Sequence, residues 1–340
     1  MMPFSSNSKG RTASHAGSWY TDDGKKLQRQ LDEWLDQVPS SARPIGTASS
    51  QEGEYSPPVS NARAIIAPHA GYAYSGPAAA WAYKSADWAN VKRVFLLGPS
   101  HHHYLPVAAT TNYSKYETPL GDLVIDVDFT AKIKQEWKLQ VMDPRTDKAE
   151  HSLEMHLPYI YRMLSLHNKS FQEDPAAVPL VPIMVGATRP KIERDLGAHL
   201  APYLSDPTNI FVISSDFCHW GSRFSYTYYQ PQEGSAVNLR SNTPSSETRE
   251  YPIHESIKAV DFESMDAVES GVHEDFLEQL ERTGNTVCGR HPIGVFMAAV
   301  EQAELGEGKG RFRFVRYERS SEVERADDSS VSYCSAFAVL

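Results

Sequence analysis

The 340-residue sequence has few cysteines, no long apolar run and no cluster of basic residues. Cys218, Cys288 and Cys334 show no spacing typical of a disulfide framework, so we expect free thiols in a reducing compartment. No stretch approaches the roughly 20 apolar residues that a membrane-spanning helix needs. The first residues lack the apolar core of a signal peptide, which predicts a cytoplasmic localisation, with the nucleus as a second compartment to consider.

The charge balance also excludes some function classes. The formal net charge is −10 at pH 7, and without a basic patch a general nucleic-acid surface is not expected. Apolar residues make up 41% of the chain, which is enough for a substantial core. The length allows one large α/β domain or two small ones. We therefore expect a protein that neither binds nucleic acid nor inserts into a membrane.

Three segments repeat the same order of an apolar strand, a turn and a histidine. They are Ala64–Ala67 followed by His69, Val91–Leu97 followed by His101, and Asn209–Ile213 followed by His219. In open α/β sheets, ligands bind at the carboxyl ends of the strands. If the sheet is largely parallel, the three imidazoles share one edge and can converge in a single cleft.

Strands alternate with helical patterns along most of the chain, which predicts a single α/β domain with a mostly parallel central sheet flanked by helices. Residues 1–13 are predicted to be disordered, with the domain spanning residues 14–340. Residues 40–60 and 231–250 are polar and are predicted to form flexible insertions. Prolines in the apolar stretch 178–186 place that strand near an edge of the sheet.

His69, His101 and Cys288 would form a metal site with an open position, and imidazole with thiolate suits copper, zinc or iron. Cys288 stands at a predicted helix start, where backbone amides and nearby cations favour thiolate; the other interpretation is an inert buried thiol. Asp216 lies three residues before His219 and can orient its imidazole, or it can cap the turn instead.

His151 and Glu154 lie three residues apart on one face of a predicted helix. An imidazole and a carboxylate at that spacing can reach a shared ligand. The alternative is an amphipathic helix whose carboxylates are solvated. The residues alone leave both interpretations open.

Several motifs together resemble the Memo family, which is named for its role in cell motility driven by receptor tyrosine kinases. They are Ser-His-Ala-Gly-Ser-Trp-Tyr at 14–20, Ile-Ile-Ala-Pro-His-Ala-Gly-Tyr at 65–72, Leu-Gly-Pro-Ser-His-His at 97–102, Glu-His-Ser-Leu-Glu-Met-His-Leu-Pro at 150–158, Ser-Ser-Asp-Phe-Cys-His-Trp-Gly at 214–221, Cys-Gly-Arg-His-Pro-Ile-Gly at 288–294 and Asp-Ser-Ser-Val-Ser-Tyr at 328–333. The likeness covers nearly the whole chain outside the two polar insertions.

The resemblance implies a fold like that of class III extradiol non-haem iron dioxygenases, which hold iron with two His and one Glu. By this resemblance His69 and His101 take the two His positions and His219 the acid/base position. Cys288 stands where those enzymes have Glu. Thiolate in place of carboxylate favours copper over iron, and Memo proteins are associated with copper binding and redox activity.

Three hypotheses follow from these residues and from the resemblance. The first is a copper-binding redox protein linked to motility or growth signalling, with zinc or iron as other candidate metals. The second is a signalling scaffold that binds phosphotyrosine peptides in the same pocket, with Arg290 or His151 as the positive contact. The third is a true iron dioxygenase. Whether the protein is an enzyme is left open by the sequence.

Overall fold

The computed structural model describes residues 10–340, in which a mixed β-sheet lies between two layers of helices. The helices are α1 Gly24–Gln37, α2 Tyr72–Ser85, α3 Val127–Glu136, α4 Pro144–Ala149, α5 His151–Glu154, α6 Leu157–His167, α7 Lys169–Glu173, α8 Pro190–Leu204, α9 Ile253–Glu269, α10 His273–Thr283 and α11 Arg290–Gln302. The strands are β1 Ala62–Ala67, β2 Arg93–Pro99, β3 Ala108–Thr110, β4 Lys115–Thr118, β5 Gly121–Val124, β6 Gln140–Val141, β7 Leu180–Val185, β8 Asn209–Ser214, β9 His219–Trp220, β10 Tyr228–Tyr229, β11 Val237–Asn238, β12 Phe312–Arg319 and β13 Ser330–Val339. Short 3₁₀ turns lie at Ser49–Gln51, Pro175–Ala177 and Ser222–Phe224.

The main sheet has the strand order β12-β13-β1-β8-β2-β7-β3-β6, with β9 paired to β13. Strands β1, β8, β2 and β7 run parallel to one another, whereas β13 runs antiparallel to both β1 and β12. This confirms the predicted fold class, an α/β domain whose central sheet is mostly parallel. Because β1, β8 and β2 are neighbours, their carboxyl ends lie side by side at one edge of the sheet. The three predicted strand-end histidines come after these strands, at that edge.

Both faces of the sheet are covered, which explains why its strands are apolar without alternation. Along β1, Ile65 packs into a hydrophobic cluster with α1, α2 and α6, whereas Ile66 packs into a second cluster with α8–α11. Every residue of β1, β7 and β8 is buried. A parallel sheet buried on two sides requires such continuous apolar runs.

The strand predicted near an edge lies inside the sheet instead. Strand β7 pairs with β2 on one side and with β3 on the other. Strand β3 has only three residues, and its pairing starts at Ile183, one residue after Pro182. The missing N–H of Pro182 therefore falls outside the short β3 ladder, so the proline is tolerated in an interior strand.

Two segments predicted to be disordered or flexible make defined contacts. In the predicted disordered stretch 1–13, Arg11 is buried and forms a β-bridge with Tyr116; residues 1–9 lie outside the described residues. In the predicted insertion 40–60, Tyr55 packs against Phe337, and Ser49 donates a hydrogen bond to Glu269. Polar composition indicated loops at both places, but composition does not reveal single anchoring side chains.

None of the helices within residues 10–340 is both long enough and apolar enough to cross a bilayer.

A buried carboxylate links α8, α10 and α11. Glu193 accepts hydrogen bonds from His273 Nε2 at 2.7 Å and from His291 Nδ1 at 2.6 Å. Burial alone would raise the pKa of Glu193, but these hydrogen bonds outweigh burial and lower it.

A carboxylate with a lowered folded-state pKa stabilises the protein above its unfolded pKa, and that contribution is lost as the pH falls through the folded pKa. We expect the free energy of unfolding of the wild type to fall more steeply than that of Glu193→Gln as the pH drops below about 4.3, the ordinary glutamate value. Urea denaturation of both proteins across this range measures the difference. Parallel pH curves for the two proteins would contradict the prediction.

Candidate metal-binding site

Three histidines meet at the carboxyl edge of the sheet. His69 follows β1, His101 follows β2 and His151 opens α5, and each offers a ring nitrogen within 4.8 Å of the other two. The ring centroids of His101 and His151 are 4.4 Å apart, and that of His69 lies 5.1 and 5.4 Å from them. This spacing is suited to a shared cation.

The hydrogen bonds of His69 fix which of its nitrogens is free. Its Nδ1 lies 2.6 Å from Ser214 Oγ, and this hydroxyl donates its own proton to the carbonyl of Ser152. His69 Nδ1 must therefore carry the hydrogen, which leaves the lone pair on Nε2. Burial, reinforced by the neighbouring His101 and His151, lowers the pKa of His69 well below its ordinary value, so the ring is neutral, as a metal ligand must be.

His101 is oriented in the same way, but by a carboxylate. Glu150 accepts hydrogen bonds from the Nδ1 and the backbone amide of His101 at 2.8 and 2.7 Å. Burial opposes the charge of Glu150, yet the bonds from His101 outweigh it and lower the pKa of Glu150 to about 2. A carboxylate that holds a histidine by Nδ1 is the usual support of a metal-binding imidazole, because it frees Nε2.

His151 provides an independent indication that a cation fits here. Its Nδ1 is buried without a hydrogen-bond partner among the described residues, and Glu150 Oε1 lies 3.6 Å away. Burial and the adjacent His101 lower the pKa of His151 to about 3, so the ring is neutral at pH 7. Trp19 covers the ring at a centroid distance of 4.5 Å. An unpartnered neutral imidazole beside two others is a ready ligand.

Cys288 adjoins this cluster at His69. Its Sγ lies 3.2 Å from His69 Nε2 and also accepts the backbone N–H of Asp216 at 3.2 Å. Since His69 Nε2 carries no hydrogen, the thiol donates to it or to the carbonyl of Asp216 at 3.4 Å. The three ring nitrogens that lie close together thus belong to His69, His101 and His151, and the sulfur of Cys288 lies next to His69.

The helix start was expected to lower the pKa of Cys288 and favour thiolate, but the surroundings of the thiol raise its pKa. Burial raises the pKa of the thiol well above its ordinary value, and the Asp216 carboxylate raises it further. The amide of Gly289 donates to Ser215 Oγ at 3.0 Å, and Arg290 is exposed. Gly289 packs so tightly on Ser214 and Ser215 that a β-carbon there would clash with both. A bound metal, not the helix, would have to displace the proton.

Asp216 and His219 both line the cleft, but Asp216 does not orient His219. The carboxylate of Asp216 accepts the backbone N–H of His69 at 2.8 Å, and burial raises its pKa. His219 Nδ1 instead donates to the carbonyl of Phe217 at 2.8 Å, which leaves its Nε2 lone pair free. His219 can therefore accept a proton in the cleft, while Asp216 holds the loop that carries His69.

Two residues predicted to contact a ligand lie elsewhere. Glu154 is buried under the cleft wall, where it accepts hydrogen bonds from Arg11, His15 and Tyr20. These bonds outweigh burial and lower its pKa to about 2. Arg290 is exposed at the start of α11 and is not among the residues that line the cleft.

The cleft over the cluster has a volume of about 710 Å³. Besides His69, His101, His151, Asp216 and His219, its wall includes Trp19, Tyr74, Arg223, Phe224, Tyr333 and five serines. Arg223 is the cation of this wall, and its guanidinium lies 4.4 Å from the ring centroid of Phe224. The cleft can thus admit a polar or aromatic molecule next to the imidazoles.

Sequence reasoning missed Glu150 and Arg223 as parts of the site. The position of Glu150 directly before His151 is a signal that could have identified it, because its side chain caps α5 at Ser152 N while reaching His101. Trp19 lies in the glycine- and aromatic-rich motif at 14–20. No pattern in the sequence marks Arg223.

Comparisons with known proteins find relatives whose sequences match nearly the whole chain. The profile of the family described as "Memo-like protein" matches residues 11–337. The chain is 41% identical to Protein MEMO1 of Xenopus tropicalis over 330 residues, which covers 97% of each chain. It is 40% identical to Protein MEMO1 of Homo sapiens over 323 residues, 95% of each, and 38% identical to the Protein memo-1 homolog of Caenorhabditis elegans over 326 residues, 96% of this chain and 81% of that relative. The chain therefore belongs to the Memo family.

Proposed function

We propose that this protein binds copper in the strand-end cleft and acts as a redox protein, with His69, His101 and Cys288 as ligands and His151 completing the set. The observation that carries the proposal is the convergence of three imidazole nitrogens within 4.8 Å of one another, with a thiol 3.2 Å from one of them. Imidazole and thiolate together favour Cu(I) over oxygen-preferring metals, with zinc and iron as the next candidates. We place its action in cytoplasmic motility or growth signalling, as in the family.

The residues around the cluster have separate tasks in this proposal. Ser214 and Glu150 hold the rings of His69 and His101 with Nε2 free. A bound copper ion would supply one-electron redox chemistry. His219 holds a free Nε2 on the cleft wall, where it can take a proton from a bound molecule, and Trp19 restricts access of water to His151. If the protein is an enzyme, this arrangement suits a metal-dependent oxidoreductase.

Competition titration with a Cu(I) chelator tests the proposal. We expect His69→Ala to weaken Cu(I) binding by about 100-fold or more, because even changes outside the ligand set cost about 10–100-fold. His103→Ala is the control, since its imidazole is exposed on the loop that carries His101 and lies outside the cleft wall. Equal affinities of the wild type and His69→Ala would refute copper binding in this cleft.

A second candidate function, a scaffold for phosphotyrosine peptides, is favoured by the cleft wall. Arg223 faces the cavity together with Trp19 and Tyr74, which are 37% and 60% exposed. A guanidinium beside aromatic rings suits a phosphorylated aromatic side chain. An iron dioxygenase is supported less, because the compact donor set has no carboxylate and Glu150 is engaged by His101 and Ser152.

Fluorescence anisotropy with a labelled phosphotyrosine peptide tests the scaffold. We expect Arg223→Ala to weaken binding about tenfold or more, since a hydrogen bond to a charged group contributes about 1.5–3 kcal/mol. Arg290→Ala serves as the control, because Arg290 lies outside the cleft wall. Loss of binding in Arg290→Ala but not in Arg223→Ala would place the peptide elsewhere.

A further inference from the structure

Strand β12 forms one edge of the main sheet, with β13 on its inner side. On its outer side, the amide of Ile45 donates to the carbonyl of Phe314 at 2.7 Å, and the amide of Phe314 donates to Glu269 at 2.8 Å. From Val315 to Arg319, no further residue within 10–340 forms a hydrogen bond to the outer side of the strand. A free edge of this kind can pair with another extended chain.

A groove of about 370 Å³ runs beside this free edge. Trp81 of α2 forms one wall and packs against the hydrophobic cluster on one face of the sheet. Phe262 of α9 and Tyr317 of β12 form the other wall and pack against the cluster on the opposite face. The groove therefore straddles the sheet edge, where the side chains of an added strand, which alternate between the two faces, would each meet an aromatic wall.

The groove is positively charged, although the whole chain carries a formal charge of −10. Its lining includes Arg43, Lys258 and Arg316, and among residues 10–340 no acidic side chain lines it. Arg316 pairs with Glu318 at 2.7 Å and lies 5.1 Å from the ring of Trp81. Within the described part of the chain, Arg43 and Lys258 take part in no ion pair with a side chain.

We propose that this groove is a docking site for an acidic, extended peptide segment of a partner protein, which adds to β12 as a further strand. Backbone hydrogen bonds to Val315–Arg319 supply affinity, and the alternate side chains supply specificity, as in other cases of strand addition. The carboxylates of the peptide lie against Arg43 and Lys258. Charged residues also protect sheet edges from aggregation, but that role does not require aromatic walls on both faces.

This site does not depend on the metal cluster. Its residues come from β12, α2, α9 and the segment around Arg43, and none of them lines the cleft that holds His69, His101 and His151. Binding there can therefore be tested on metal-free and metal-loaded protein alike. Failure of either proposal leaves the other intact.

The probe is a fluorescein-labelled peptide of alternating Glu and Val, compared with its Lys/Val counterpart and with an N-methylated Glu/Val peptide that cannot extend the strand ladder. We expect the Glu/Val peptide alone to bind, and Arg43→Glu/Lys258→Glu to weaken its binding by at least about tenfold, because opposed like charges are strongly unfavourable. Lys169→Glu, a reversal of an exposed lysine on α7, is the matched control and should bind as the wild type does. Hydrogen exchange at Val315–Arg319 should slow in the presence of the peptide.

The proposal is overturned if the Glu/Val peptide does not bind, if the N-methylated peptide binds equally well, or if exchange in β12 is unchanged. Slowed exchange in β12 that depends on protein concentration without peptide would identify a second copy of this chain as the occupant. That result also overturns the acidic-peptide assignment.

Discussion

Replacing Arg11 with methionine is expected to lower the free energy of unfolding by about 3–5 kcal/mol, the cost of breaking a buried ion pair by removing one partner. The guanidinium of Arg11 is buried and contacts Asp147 at 2.9 Å and Glu154 at 2.6 Å. It also donates to the backbone carbonyls of Asp147 and Glu150. Without it, two buried carboxylates and two carbonyls lose their shared donor, and methionine fills the volume without replacing any of these bonds.

Urea denaturation followed by circular dichroism measures this loss. Arg325→Met is the matched control, because Arg325 pairs with Asp327 on the surface and exposed pairs contribute little. The control should stay within about 0.5 kcal/mol of the wild type. A similar, small effect in both variants would mean that the buried carboxylates are protonated or solvated when Arg11 is absent.

The second large effect concerns metal preference. Cys288→Ser is expected to weaken Cu(I) binding by about 10–100-fold or more, while Zn(II) binding falls less, because thiolate contributes most to soft metals. The sulfur lies in contact with His69 Nε2, and the close packing of Gly289 on Ser214 and Ser215 fixes the backbone next to it. Serine has nearly the same shape as cysteine, so this backbone packing is expected to remain in the variant. Competition titrations with both metals measure the two ratios.

The companion variant His151→Ala separates the nitrogen ligand from the sulfur. It should weaken binding of both metals, since imidazole suits each of them. Unchanged Cu(I) affinity in Cys288→Ser, together with a large loss in His151→Ala, would assign the site to three imidazoles and remove sulfur from it. Circular dichroism of both variants checks that the fold is kept.

The fold could be predicted from sequence because its signals are local. Strands β1 and β7 are each followed by a turn and a helix, and a run such as Ala64–Ala67 can be buried only between two layers. The meeting of His69 and His101 followed from the same logic, since parallel neighbouring strands end at one edge. The place of β7 could not be derived, because it depends on the short length of its neighbour β3.

The details of the site were harder to predict, because they depend on which partner each polar group finds. The sequence left Asp216 either to orient His219 or to cap the turn, and in the structure its carboxylate accepts the amide of His69. The sequence left Glu154 either to reach a ligand or to be solvated, but it pairs with Arg11, more than a hundred positions away in the chain. Helical spacing places residues on a face, yet only the packed structure determines what covers that face.

The support of α5 by Arg11 has a practical consequence for shortened versions of the protein. Helix α5 has only four residues and cannot be stable alone, so His151 keeps its position because Glu154 and the Glu150 carbonyl are tied to Arg11. A chain beginning after Arg11 would retain every proposed metal ligand. It would still lose the contacts that hold the helix carrying His151 in place. Truncations designed from the ligand positions alone would therefore misjudge how much of the chain a working cleft requires.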